Sequence, residues 1–156
     1  MRKNKSMKDF SNIKYAENTA GEKQVRTHLE NCDTNFVPRL SNKVNIAEYA
    51  KKINTNAITF EAWQNDELIG LIAAYFNNKE NKSGFITTVS TIKQYEGMGI
   101  GSRLIKMCID YAKSNDYRSI LLEVNKENNT AIQLYNKYGF VKTEQTGESL
   151  LMKLYL

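Results

Sequence analysis

A chain of 156 residues with 41% hydrophobic and 25% charged side chains has the size of one domain and the composition of a globular one. No apolar run approaches the about 18 residues of a membrane span, and the basic start, Met1 to Ser6, is followed by no apolar stretch, which argues against a secretory leader. The net charge of +5 suits an anionic partner, but Lys and Arg are scattered and no nucleic-acid motif is present, so a small polyanion or a solvated lysine-rich surface accounts for it better. Cys32 and Cys108 have neither metal-ligand spacing nor the density of a disulfide framework. The expectation is a reduced, cytoplasmic protein with no metal.

Residues 1–12 are polar and basic and are expected to fray. A short strand is predicted at Ile13, Lys14 and Tyr15, and Val25, Leu29 and Cys32 give helical spacing to 21–32. The single proline, Pro38, marks a loop, and Ile46, Tyr49, Ala50 and Ile53 predict a second helix with Asn45 as its N-cap. From Ala57 the period becomes two: Ile58, Phe60 and Ala62 alternate with Thr59, Glu61 and Trp63, and Asn65-Asp66 makes a hairpin turn. Residues 68–76 read as a central strand covered on both faces, and 85–91 as the next strand. Ile100, Leu104, Ile105, Cys108, Ile109 and Ala112 form a wide helical stripe. A buried strand at 118–124 follows, then a helix through Ala131, Leu134, Tyr135 and Tyr138, stopped by Gly139. Phe140-Val141 and residues 150–156 supply two last strands, so the pattern predicts a mixed sheet with helices on both faces.

Gly97-Met98-Gly99-Ile100-Gly101-Ser102 lies between a predicted strand and a long predicted helix. Glycines let the backbone approach an anion, and the free N–H groups of a helix start point at it. The helix dipole adds about 0.3–1 kcal/mol for a nearby negative charge. A diphosphate is the ligand this implies, since three alternating glycines exceed what a turn needs. A Walker-type loop would end in Gly-Lys-Ser/Thr, and no lysine stands there. A dinucleotide fingerprint comes closer, with Glu123 at the end of the next strand as its ribose acid. Against it, Ser102 replaces the third small residue, 93–96 separate strand from loop, and too little chain follows Glu123 for the rest of that fold.

Tyr95-Glu96-Gly97-Met98-Gly99-Ile100-Gly101-Ser102-Arg103-Leu104-Ile105 resembles the acetyl-CoA loop of GNAT N-acetyltransferases, whose pattern is Gln/Arg-x-x-Gly-x-Gly/Ala. Leu122-Glu123-Val124-Asn125, then Asn128-x-x-Ala131-x-x-Leu134-Tyr135-x-x-x-Gly139-Phe140, resembles the second signature of that superfamily, at the spacing the family uses. The resemblance implies an acetyl-CoA-dependent N-acetyltransferase with its machinery in 84–140. It implies an α/β fold: a mostly antiparallel central sheet, one parallel pair of splayed strands (85–91 and 118–124), and helices on both faces. The pantetheine arm enters between the splayed strands. Val89, Ser90 and Thr91 resemble the residues whose backbone pairs with that arm. Gly97, Met98, Gly99, Ile100, Gly101 and Ser102 would hold the pyrophosphate, and Asn128 would help hold the cofactor near its thiol. One position departs from the pattern. Glu96 stands where the family has Gln or Arg, and a carboxylate beside a pyrophosphate costs about 1 kcal/mol at an exposed site, unless it pairs with Lys93 or Arg103.

Acetyl transfer to an amine needs a neutral nucleophile, a polarised carbonyl and a proton for the departing thiolate. Tyr135 matches the general acid of the family; a phenol with a pKa near 10 keeps its proton at pH 7. Read from spacing alone, it is one more member of the 131, 134, 135, 138 stripe. Glu123 is the candidate base, because ribosomal-protein alanine acetyltransferases, which this run also resembles, carry a glutamate there. An ordinary glutamate is a poor base for an alkylammonium, so burial or a water relay must assist it; a strand-end acid paired with Lys or Arg is the other reading. Glu61 is a reserve base, and His28 reads as a helix-surface residue.

The resemblance puts the acceptor pocket between the first two helices and their connection, residues 36–49. Phe36, Arg39 and Tyr49 are candidate lining residues, with Arg39 suited to a phosphate or carboxylate; core positions for the aromatics and a surface position for Arg39 are the alternative. Pro38-Arg39-Leu40-Ser41 and the helix after it resemble GNAT members associated with surface-polysaccharide synthesis. That implies a small-molecule primary amine, with an amino-sugar nucleotide as one such acceptor. Protein or peptide amines, a non-catalytic acyl-CoA-binding domain and a nucleic-acid protein that kept the fold are the alternatives. The expectation is one domain over 1–156, a monomer or homodimer, with no membrane or nucleic-acid partner.

Overall fold

The computed structural model describes residues 12–156; the expected fraying of 1–12 falls outside that range, Asn12 apart. The chain runs β1 (Lys14–Glu17), α1 (Glu22–Cys32), α2 (Ile46–Asn56), β2 (Ile58–Gln64), β3 (Glu67–Asn78), β4 (Ser83–Thr91), α3 (Ile100–Ser114), β5 (Ser119–Asn125), α4 (Asn129–Lys137), β6 (Val141–Thr146) and β7 (Ser149–Tyr155). Local chemistry sets several of these boundaries. Asn45 Oδ1 accepts the Glu48 N–H at 3.0 Å and caps α2. Asn65 and Asp66 both take positive φ, 49° and 65°, which matches the two-residue hairpin turn between β2 and β3. Gly139, at φ 97°, ends the α4 segment where only a residue without Cβ turns cheaply.

The strand order is β1-β2-β3-β4-β5-β7-β6. β4 and β5 run parallel, and the other neighbouring pairs are antiparallel. The last hairpin folds back so that β7, not β6, lies beside β5. Strand periodicity has no information on that choice.

Two cores sandwich the sheet. Ile69, Ile72, Phe60, Ile120 and Leu122 pack under α3 and α4 against Ile100, Leu104, Ile105, Cys108 and Tyr135. Leu71 and Ala73 face the other way, onto Val25 and Leu29 of α1 and Ala50 and Ile53 of α2. Burial on both faces explains the near-continuous apolar run of β3. It also overturns two expectations. His28 is not on the helix surface: only 1% of it is exposed, facing β3 and β4. Glu61 is not a reserve base. It is completely buried, and its carboxylate accepts the N–H groups of Thr19 (2.9 Å) and Ala20 (3.0 Å), the hydroxyls of Thr19 and Thr59, and Trp63 Nε1 (2.9 Å). Those five donors hold the approach to α1 against β2, so its lone pairs are spent on structure. The α1 and α2 stripes and the two covered faces of β3 were visible in the sequence; the burial of Thr59, Glu61 and His28 was hidden because they are polar.

β4 positions the functional region. It pairs with β5 only through Ser83–Ser119 to Ile86–Leu122. Against β3 its register shifts between the Ala73–Thr88 and Ala74–Ile86 partners, so Thr87 is an extra residue in the strand. A bulge bends the strand that carries it. The bulge falls where pairing to β5 stops. From Thr88 to Thr91, β4 therefore stays paired with β3 on one side, and from Thr87 on its other edge is unpaired with β5.

Candidate active site

The free β4 edge opens two adjoining cavities. One, of about 470 Å³, is walled by Val89, Ser90 and Thr91 of β4, Glu96, Gly97 and Gly99 of the glycine loop, Ile100, Gly101 and Ser102 of α3, and Thr130, Ala131 and Leu134 of α4. The other, of about 440 Å³, lies between the α1–α2 connection (Phe36, Val37, Pro38, Leu40, Lys43, Val44), Tyr49, the end of β5 and the β6–β7 turn. Phe36, Val89, Asn128 and Tyr135 line both.

The first cavity is built from backbone. Gly97 and Gly99 both have φ of 81°, and a Cβ at either would touch nothing within 4 Å; it is the backbone conformation that calls for glycine. Gly99 is the N-cap of α3, so the unpaired N–H groups of the first helical turn open towards the cavity. Met98 lies outside the wall, with its side chain 44% exposed. Ile100 serves the loop through its main chain, since its side chain is buried in the core. Glu96 is exposed in the wall and makes no ion pair among the described residues. The pairing with Arg103 does not form, because that guanidinium stacks over the Tyr15 ring at 4.3 Å. The charge anomaly therefore faces the cavity.

These residues fit the arm and pyrophosphate of coenzyme A. A free strand edge takes amide groups as an added strand, and glycine N–H groups at a helix start take a diphosphate. The Asn128 side chain has a second role that the motif did not reveal: its Oδ1 accepts the Ala131 N–H at 3.3 Å and caps α4. Its amide nitrogen remains available to the cavities.

The second cavity is built from side chains. Tyr135 is buried against Phe140, ring centroids 5.8 Å apart, and its hydroxyl makes no hydrogen bond among the described residues. Burial pushes the phenol well above its ordinary pKa, so it holds its proton at neutral pH. Glu123 projects from the uncovered face of β5, exposed and without an ion-pair partner among the described residues. It is not buried, and the strand-end ion pair does not form among the described residues.

Two acceptor candidates change role. Arg39 does not line the cavity: it is exposed and pairs with Asp33 at 3.0 Å, beside the Asp33–Ser41 hydrogen bonds of 2.6 and 2.7 Å. Tyr49 lines it with its ring, but its hydroxyl donates to the Thr87 carbonyl at 2.9 Å and lies 2.6 Å from Thr87 Oγ1. Lys43, Thr146, Glu148 and Ser149 join the wall without having been singled out in the sequence. Gly147, at φ 60°, turns the chain between β6 and β7, and nothing local in the sequence says that this turn faces a site.

Comparison with known proteins agrees with this arrangement. Residues 22–140 match the acetyltransferase (GNAT) family. A Drosophila melanogaster protein described as "Probable N-acetyltransferase san" is 30% identical over 94 residues, 59% of this chain and 51% of that protein. N-alpha-acetyltransferase 30 of Schizosaccharomyces pombe is 28% identical over 86 residues, 54% of this chain and 57% of that protein. The chain thus spans about half the length of these curated relatives. Among solved structures, PH1933 from Pyrococcus horikoshii OT3 superposes with a TM-score of 0.72 at 25% identity, over 92% of this chain and 98% of that one. PaiA N-acetyltransferase from Thermoplasma acidophilum, solved with coenzyme A, shares the fold at a TM-score of 0.74 and 15% identity, over 92% and 99%. With the family match covering most of the described residues, and the splayed strands, glycine loop and α4 tyrosine in one place, this chain belongs to the acetyltransferase (GNAT) family.

Proposed function

We propose that the protein transfers an acetyl group from acetyl-CoA to a primary amine, with the glycine-loop cavity taking the cofactor and the side-chain cavity taking the acceptor. The observation that carries this reading is the shared wall: Tyr135 and Asn128 border both cavities where β4 and β5 part. When bound, acetyl-CoA supplies an activated thioester. The rest falls to this chain. Val89, Ser90 and Thr91 offer free backbone groups to the arm, and the loop at 97–102 offers N–H groups to the pyrophosphate. Tyr135 holds a proton next to the position of the thiol. Glu123, open to solvent, takes the amine proton through water, since its exposure leaves the relay as its route.

That exposure also bears on the acceptor. An alkylamine near pKa 10.4 demands a strong base, whereas an α-amino group near 7.7–8.0 is partly neutral at pH 7. The acceptor wall is apolar over Phe36, Val37, Pro38, Leu40 and Val44, with Lys43 its single basic side chain among the described residues. With Arg39 turned away to Asp33, the wall has one cation to offer the diphosphate of an amino-sugar nucleotide. The acceptor is therefore a peptide α-amine with an apolar first residue, in keeping with the N-alpha-acetyltransferase names of relatives. Thiol release would be followed with acetyl-CoA and three acceptor sets: peptides with free N-termini, lysine-like amines and amino-sugar nucleotides. Turnover confined to the last two sets would sink the peptide reading; no turnover with any would sink acetyl transfer.

A further inference from the structure

The free β4 edge begins at a bulge and is held by β3 on one side only, and a bulge bends and twists the strand that carries it. Two side chains from the helices behind it take hold at either end of the unpaired stretch. At Thr87, the Tyr49 hydroxyl from α2 donates to the main-chain carbonyl. With its one proton given there, Tyr49 accepts the Thr87 hydroxyl proton across the 2.6 Å contact. Three residues on, Ser90 meets His28 of α1. The Leu68 carbonyl, 2.8 Å from His28 Nδ1, can only accept, so Nδ1 carries the hydrogen. Nε2 is then the lone-pair nitrogen, and it receives the Ser90 hydroxyl proton at 2.8 Å. Leu68 sits beside a register shift between β2 and β3, where Trp63 partners Leu68 and Ala62 partners Gly70. The imidazole thus bridges β3 and β4. His28 is 1% exposed and desolvation disfavours its charged form, so it stays neutral and the polarity of the bridge does not reverse.

We propose that His28 and Tyr49 are positioning residues that clamp the free edge of β4 at Ser90 and Thr87, and so set how tightly the chain holds the arm of acyl-CoA. This rests on the reading that the 87–91 edge receives that arm. An added strand needs its donors and acceptors in phase over several residues, and neither β5 nor the ligand is there to impose the phase beforehand. Preformed geometry avoids paying the ordering cost at binding.

Isothermal titration with coenzyme A tests it on wild type, Tyr49→Phe, Ser90→Ala, His28→Leu and the His28→Leu/Ser90→Ala double variant. Ser90→Ala and Tyr49→Phe each remove one hydroxyl and should raise the Kd for coenzyme A by about three- to tenfold. The double variant should be no weaker than His28→Leu alone, because both changes delete one bond. In Ser90→Ala the KM for acetyl-CoA should rise while the KM for the amine stays put, a split that general loosening does not produce. Amide exchange should quicken in 87–91 with the melting temperature nearly unchanged. If His28→Leu does not fold, the two hydroxyl deletions carry the test alone. Folded variants that bind coenzyme A like wild type overturn the clamp, and a wild type that does not bind overturns the cofactor reading and the clamp with it.

Discussion

The two cavities that meet at Tyr135 are made of different material. The cofactor side is largely main chain: the β4 edge, two glycines at φ of 81° and the first turn of α3. The acceptor side gathers residues from the α1–α2 connection, Tyr49 of α2, β4, the end of β5, the start of α4 with Tyr135, and the β6–β7 turn. Main-chain recognition depends on where glycines and helix starts fall, so it tolerates wide change in sequence and suits a ligand common to a family. Side-chain recognition is rewritten by each substitution, and suits the component that differs between members.

The contrast predicts that the largest single loss comes from the backbone side. Gly99→Asp places a carboxylate at the anion site and strains a left-handed position by about 1–2 kcal/mol, which a folded chain of this size tolerates. Coenzyme A should then give no thermal stabilisation, where wild type is stabilised by mass action. An intact shift would mean the pyrophosphate lies elsewhere.

A comparably large effect should appear in the scaffold behind that cavity. Desolvation of His28, against the opposing pull of its bonds to Leu68 and Ser90, holds its pKa down at about 4, whereas an unfolded histidine titrates near 6.5. The unfolded chain therefore takes up the proton first as pH falls. This contribution to stability is complete above about pH 6.5 and is lost progressively towards pH 4, to about 3 kcal/mol. Cys32, 3.7 Å away, has its thiol pushed up to about 12 by burial and adds no charge. Denaturant melts from pH 7 to 4 should show this slope in wild type and a flatter one in His28→Gln. Parallel curves would refute the neutral-histidine account.

Tyr135→Phe keeps the ring packed on Phe140 and removes only the proton. kcat should fall by about 10²-fold, with coenzyme A affinity nearly unchanged. Full activity would make the residue a core aromatic and leave thiolate departure to water.

Glu96→Gln should tighten coenzyme A binding several-fold and at most about tenfold, since one exposed repulsion of about 1 kcal/mol is relieved. Weaker binding would show that the carboxylate helps rather than opposes. Smallest of all is Arg39→Ala. Because the side chain is exposed on Asp33, KM for the amine should stay within about twofold, in line with the low worth of surface ion pairs. A large rise would return Arg39 to the acceptor site.

The helices, most strands, the glycine loop and the α4 signature were legible in sequence because each is a local pattern. Apolar spacing reports a buried stripe, Asn45 and Gly139 report helix ends, and Gly97 and Gly99 report backbone that only glycine adopts at little cost. Local patterns say which backbone is available; they do not say what a side chain touches across the fold. Tertiary packing alone decided that His28 faces inward onto Ser90 and that Glu61 is consumed by five donors. It also sent Arg39 to Asp33, left Glu96 without a partner and placed β7 beside β5. Those outcomes depend on contacts between residues tens of positions apart, where polar groups are buried only because partners arrive from other elements. A chain read one window at a time carries no record of those partners, and so placed His28 on the helix surface.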